Sequence, residues 1–461
     1  MATTEPVASP FLQGNFGPVR EEITADRLPV IGELPGEIDG LFVRNGPNPQ
    51  FDPVGGYHWF DGDGMVHGVR IQEGQASYRN RYVRTVRWQQ EHAAGQVLGA
   101  TLLSGGRPEG GDREVANKAN THVMWHAGRL LALWEGGAPY AMRAPSLETV
   151  GPYTFGGQLR HAFTAHPKRD AQTGELLFFG YNPVAPPYLR YGVVSPAGEI
   201  VHDTAIDLPV PVMMHDFAVT ERYAIFLNLP LTFDVSRARQ GGPLLRFEAE
   251  RGAQFGILPR RAEGTAIRWF AGPACYVFHI LNAFEDDADV VLDGCRYETM
   301  DLAKLGALPA SLHRWRFNVA AGTMQEAALD DAGTEFPRVN DGLVGRPARY
   351  GYAARVESQR HFADALLKYD LASGRSQLHV HGPHRSGGEG VFVPRPGGVA
   401  EDDGWLITYV FDADRGASEL VLVHAQDFEA PPVARVLLPQ RVPYGFHGWW
   451  VDGQELDHPQ G

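Results

Sequence analysis

The sequence predicts an all-β fold of the propeller or sandwich kind, on three observations. First, 54 glycines and 34 prolines in 461 residues break helices and suit short strands joined by tight turns. Second, runs rich in β-branched and aromatic residues recur along the whole chain and stop at Gly, Asp, Asn or Pro. They are LFVRNG, YRNRYVRTVRW, RLLALWEGG, ELLFFGY, YAIFLNLP, AIRWF, DVVLDGCRY, LLKYDL, WLITYVFD and ELVLVHA. Third, HPKRDAQTGELLFFGY, YDLASGRSQLHV and ITYVFDADRGASELVLVHA each read as strand, polar turn, strand, the hairpin grammar of antiparallel sheets. Sustained helical apolar stripes are scarce, and the best helix candidates are short, such as the stretch opening at Asp301. Exact internal repeats are not visible and no compositional break marks a linker, so residues 1–461 read as a single domain.

Composition narrows the function class. A hydrophobic content of 43% supports a large core, and a net charge of −14 argues against a nucleic-acid binder. Two cysteines, Cys275 and Cys295, exclude a disulfide-stapled scaffold and a cysteine-rich metal module. The opening MATTEPVASPFLQGNFGPVREE lacks a basic segment followed by an apolar one, and no apolar run approaches the roughly 18–20 residues of a membrane span. The expected location is the cytoplasm, with peripheral membrane contact open to apolar loops such as NPVAPPYLRYG and LPVPVMMH.

Several familiar patterns fail. DGDGMVHG resembles a dinucleotide loop but has one residue too many between its last glycines and no βαβ unit around it. It also lacks the acidic ligands of a calcium loop. No GxSxG, HExxH or P-loop pattern occurs. In HVHGPH, period two puts His379 and His381 on one strand face, which would allow a local metal site, but a polar strand end and turn accounts for them more simply.

Four of the 18 histidines sit in apolar or turn-bounded contexts: His166 in TAHPK, His215 in VMMHDFAV, His279 in YVFHILNAF and His447 in YGFHGWW. Ligands spread so widely cannot come from one helix or hairpin. Seven propeller blades over this length would take about 66 residues each, and inner strands of different blades all face one axis. Neutral imidazole is the commonest metal ligand. An ordinary core histidine is the simpler account of any one of the four, and spacing alone does not select them.

Nine motifs in order do select them: YHWFDGDGM, NTHVMWHAGRLLALWEGG, TAHPKRDAQTGELLFFGY, MHDFAVTERYAIF, FGILPRR, FHILNAFE, EFPRVN, GEGVFVPRP and GFHG. With GLFVRNGPNPQF before them, they resemble the carotenoid cleavage oxygenase family over nearly the whole chain. The resemblance implies a seven-bladed β-propeller with a loop-and-helix dome over an axial metal. It implies one Fe(II) per chain, held by His166, His215, His279 and His447. It places Glu135, Glu335 and Glu389 behind the ligands, where a carboxylate accepting the remote ring N–H fixes the tautomer and offsets the metal charge. Thr121, in ANTHV, matches the threonine whose methyl lies beside one of the two coordination positions that four histidines leave open.

The implied reaction is cleavage of one C=C bond by O₂ to two carbonyl products. The substrate supplies all the electrons, in keeping with the missing nicotinamide and flavin motifs. Within the family, the lignostilbene and isoeugenol branch carries a lysine before the first of these glutamates. Here that position is Trp134, which favours an apolar apocarotenoid, with Trp59, Phe60 and Trp134 as candidate lining. Cleavage of a stilbene or phenylpropene is the alternative. A non-catalytic propeller that binds an apolar ligand is the second, against which the intact histidine set argues.

Overall fold

ELLFFGY is apolar at Leu176, Leu177, Phe178 and Phe179, and a strand buries consecutive positions only when both of its faces are covered. The computed structural model, which describes residues 9–53, 56–98, 113–302, 309–356 and 362–457, shows how this is done. Seven antiparallel sheets stand around one axis as propeller blades, each packed between two others. Leu176 and Phe178 face blade 2, in one core with Val123 and Leu131, and Leu177 and Phe179 face blade 4, in another with Phe226 and Leu258. Blade 7 repeats the device: Trp405 and Ile407 pack towards Phe42 and Val69 of blade 1, while Leu406 and Val410 pack towards Tyr352 of blade 6. Burying one such side chain contributes about 1.5–3 kcal/mol, so the inter-blade seams hold the ring.

Each blade is built outward from its inner strand. The inner strands are Gly448–Asp452 in blade 1, His122–His126 in blade 2, Lys168–Arg169 in blade 3 and Ala218–Val219 in blade 4. Tyr276–Asp286 serves blade 5, Thr334–Arg338 blade 6 and Val391–Pro394 blade 7. The ring is closed by its ends: Gly448–Asp452 pairs with Gly40–Pro47 in blade 1, and Val30–Gly32 pairs with Ala434–Leu437 in blade 7. The three hairpins read from the sequence are hairpins of blades 3, 6 and 7. Over one end of the axis, the short turns Pro10–Leu12, Gly14–Phe16 and Trp59–Asp61 bring Phe11, Phe16, Trp59 and Phe60 into an aromatic cluster with Phe336 and Phe446.

Two local readings need correction. YRNRYVRTVRW is strand only through Tyr82, and Val86–Ala94 is helix, because the Thr85 side chain accepts from Trp88 N and Gly95 closes the end with φ +66°. His379 and His381 are not on an exposed strand face: both are buried, and His379 Nδ1 lies 3.1 Å from Phe428 O. The helix candidate at Asp301 lies, beyond Leu302, outside the described residues. Cys275 and Cys295 are buried free thiols, and among the described residues no helix is long and apolar enough to cross a membrane.

Glu419, fully buried in blade 7, accepts hydrogen bonds from Arg385 and Arg435 and pairs with Arg415. Burial alone would raise its carboxyl, but Arg435 and Arg385 override this and hold it near 2. A depressed carboxyl contributes stability that is present above its unfolded value, about 4.3, and lost as pH falls through its folded one. Glu419→Gln is therefore expected to destabilise the fold by about 3–5 kcal/mol at pH 7, as for a broken buried pair. Urea titrations of parent and variant should show that gap shrinking as pH drops below about 4.

Candidate metal centre

Four inner strands each bring one histidine to the axis. His166, His215 and His447 stand just ahead of the strands of blades 3, 4 and 1, and His279 lies within that of blade 5. One nitrogen from each lies within 4.8 Å of the others, and all four residues are buried. His166 Nε2 is 3.0 Å from His215 Nε2, and His279 Nε2 has no hydrogen-bond partner. Adjacent rings stand steeply to one another, His166 to His447 at 83° with centroids 4.5 Å apart.

The other ring nitrogen is fixed in three of the four. His215 Nδ1–H donates to Glu135 (2.5 Å), His279 Nδ1–H to Glu335, and His447 Nδ1–H to Glu389 (2.9 Å). This tautomer leaves the Nε2 lone pairs aimed at one point, and three carboxylates around neutral imidazoles suit a dication. Burial, reinforced by the neighbouring histidines, holds His166 and His447 well below the usual imidazole range. Burial would lower His279 too, but Glu335 beside its Nδ1 outweighs it and raises the ring. The donor set thus fits a divalent ion that accepts imidazole ligands.

The carboxylates are themselves held. Tyr181 donates to Glu135 (2.5 Å) and Tyr297 to Glu335 (2.8 Å), while Gly448 N (2.7 Å) and Arg338 (3.4 Å) hold Glu389. Burial, then the adjacent carboxylates, keeps both phenols well above their usual range, so both O–H groups remain donors. Glu335 is aimed by an irregular register in EFPRVN: Phe336 takes φ +53°, its N–H returns to Glu335 (2.8 Å), and its ring stacks on His279 at 5.2 Å. Sequence reading missed Tyr181, Tyr297 and Arg338. The tyrosines ended apolar strand runs, where an aromatic residue needs no functional reason.

Above the histidines lies an apolar chamber. Trp59, Phe60 and Trp134, singled out as lining, do line it, as do Met213, Phe278 and Phe446. Trp134 leans over Gly136, where a Cβ would sit 2.4 Å from the indole. Thr121 also faces the chamber, its hydroxyl on Asn120 Oδ1 (3.1 Å) and its carbonyl accepting from His447 N (3.2 Å). Met213, in LPVPVMMH, is buried, whereas Val184, in NPVAPPYLRYG, is 50% exposed.

Glu→Gln at Glu135, Glu335 or Glu389 is expected to give a folded protein whose metal affinity or turnover falls about 10–100-fold. Metal content after dialysis and steady-state rates check this, and three variants matching the parent in both would remove the carboxylates from the centre.

Comparison with known proteins agrees with the geometry. The model of the Retinal pigment epithelial membrane protein family matches residues 16–452. The chain is 40% identical to a carotenoid 9,10(9',10')-cleavage dioxygenase of Crocus sativus, over 98% of this chain and 90% of that one. It superposes on the Pseudomonas brassicacearum lignostilbene dioxygenase with a TM-score of 0.91 and 32% identity, covering 98% of this chain and all of the other. The cobalt-substituted Synechocystis apocarotenoid oxygenase matches with a TM-score of 0.84 and 32% identity, over 94% and 97% of the two chains.

Proposed function

Because this chain belongs to the carotenoid cleavage oxygenase family and is a dioxygenase of that family, we propose that it cleaves one C=C bond of an apocarotenoid with O₂ at an Fe(II) held by His166, His215, His279 and His447. The observation that carries the substrate class is the chamber directly over the histidines, aromatic on most sides and, among its described lining residues, without Lys or Arg.

Iron(II), when bound, supplies the one-electron chemistry by which ground-state O₂ reacts with an alkene. Each alkene carbon ends as a carbonyl carbon with one oxygen atom of O₂, so no external reductant enters the balance. The chain's own residues do the rest. Trp59, Phe60, Trp134 and Phe278 bind the polyene by apolar contact and exclude water, presenting one double bond beside His279 and His447. Thr121 restricts the space beside the histidines. Glu135, Glu335 and Glu389 keep the ring protons at Nδ1.

A second reading is cleavage of a stilbene side-chain alkene, the substrate class named for the similar lignostilbene dioxygenase. Anaerobic reconstitution with Fe(II), then O₂ and product analysis on apocarotenals and hydroxystilbenes, separates the two. The proposal expects two carbonyl products from an apocarotenal. Products from hydroxystilbenes alone would replace it with the second reading.

A further inference from the structure

The inner strands all run through the ring in the same direction. Their leading residues, such as Thr121, Phe278 and Phe446, line the apolar chamber, and their following residues, such as Asn282, Arg338 and Trp449, line a second cavity further along the axis. The two cavities share His279, Phe336 and His447 among their lining residues. The histidine cluster is therefore reached from two sides, by an apolar chamber and by a cavity that carries charged side chains such as Lys168, Asp216 and Arg338. We infer that the metal ion enters through the axial cavity and that His122 is a transit ligand on that route.

A hydrated dication can shed water only where other donors replace it, and an aromatic wall offers none. The carboxylates are engaged on both sides, Glu135 by His215 and Tyr181, Glu335 by His279 and Tyr297, Asp216 by Lys168 and Glu389 by His447, so the difference is the free imidazole nitrogen that His122 adds on the axial side. Charged and polar side chains occur along the axial cavity, beside apolar ones such as Leu281 and Val339. Its outer side chains Arg169 and Asp341 are 31% and 32% exposed, while Asp216 and Glu389 at the inner end are 2% and 3% exposed, so the space leads from surface to core. Its cations do not bar a positive ion: Lys168 is paired with Asp216 at 2.7 Å and Arg338 with Asp341 at 2.8 Å.

His122 is a buried histidine that the proposed reaction does not use. It opens the inner strand of blade 2, its ring 5.3 Å from that of His447 and 6.0 Å from that of His166. Nδ1–H donates to Ala165 O at 2.9 Å, which leaves the lone pair on Nε2. That Nε2 is buried without a hydrogen-bond partner, on a residue that lines the axial cavity. A neutral imidazole with a free Nε2, one ring away from two of the four histidines, can take up a metal ion and pass it on.

The inference rests on the four-histidine metal reading, and one experiment separates them. Chelator-stripped parent protein is mixed anaerobically with Co²⁺, and uptake is followed by absorbance and by bound cobalt per chain. His122→Phe, and Val344→Trp placed in the half-buried wall of the axial cavity, should each slow uptake at least tenfold yet reach the parent's final stoichiometry. Val356→Trp, which fills the chamber side instead, should load within twofold of the parent rate. Parent-like rates in both axial variants, or an equal slowing by Val356→Trp, would overturn the route. So would a lower final stoichiometry in His122→Phe at an unchanged rate, which would make His122 a residue that positions the ligands. A parent that takes up no cobalt would overturn the metal reading and the route together.

Discussion

His279→Ala is expected to leave a folded protein with less than about a tenth of an equivalent of iron and turnover down at least 100-fold, more than the loss typical of an outer partner. His279 lies within a long central strand, Tyr276–Asp286, and its ligand nitrogen falls within 4.8 Å of the other three. No other described His, Cys, Asp or Glu belongs to the cluster, and the free imidazole of His122 stands beside His447 and His166 rather than in the place of His279. The deletion also strips Glu335 of its histidine, leaving the carboxylate to Tyr297 and Phe336 N. His379→Ala is the matched control. It too removes a buried imidazole with a backbone partner, Phe428 O, but in blade 6 beside no such cluster. That variant should keep full iron and turnover. Metal analysis after anaerobic reconstitution decides the matter, and full iron with parental turnover in His279→Ala would remove His279 from the centre.

Strand existence was most legible in the sequence where a strand is covered on both faces. ELLFFGY and WLITYVFD declare themselves by composition, without any alternation to read. The same burial hid blade number and order, since an apolar run does not say which neighbour covers which face. Val86–Ala94 was misread because its apolar residues continue the preceding strand, and its real signals are the Thr85 cap and Gly95. The site was legible only by motif. Its four histidines come from four blades and share no local pattern, so nothing short of the closed ring brings them together. The parts that went unassigned are the supports, although Tyr181 and Arg338 lie inside the motifs TAHPKRDAQTGELLFFGY and EFPRVN. Tyr181, Tyr297 and Arg338 act through a carboxylate, and a residue that acts through another leaves no spacing rule of its own.

An apocarotenal is expected to be cleaved with kcat/KM at least about 100-fold above that of resveratrol or isoeugenol at equal iron loading, roughly 2.7 kcal/mol of discrimination. The reason is what the chamber lacks as much as what it holds. A buried phenolate needs a cation or several donors, and burying it without them is costly. Among the described lining residues none is Lys or Arg. The polar groups that are there are spent: Asn120 donates to Phe60 O and Gly62 O, Tyr297 donates to Glu335, and Glu135 accepts from His215 and Tyr181. Trp134 presents an indole at the position where the resemblance to the phenol-cleaving branch implies a lysine. A polyene asks for none of this. Each Å² of its apolar surface buried against Trp59, Phe278 or Phe446 contributes about 25 cal/mol, and a long polyene offers far more of it than a small phenol. Trp134→Lys reverses the logic. It puts a cation beside the chamber and removes apolar wall, and should narrow the ratio at least about tenfold by raising the phenol and lowering the apocarotenal. Parallel kcat/KM measurements on parent and variant test both statements. A parent that prefers the small phenol would overturn the apocarotenoid reading while leaving His279→Ala, and the iron-dependent cleavage it tests, untouched.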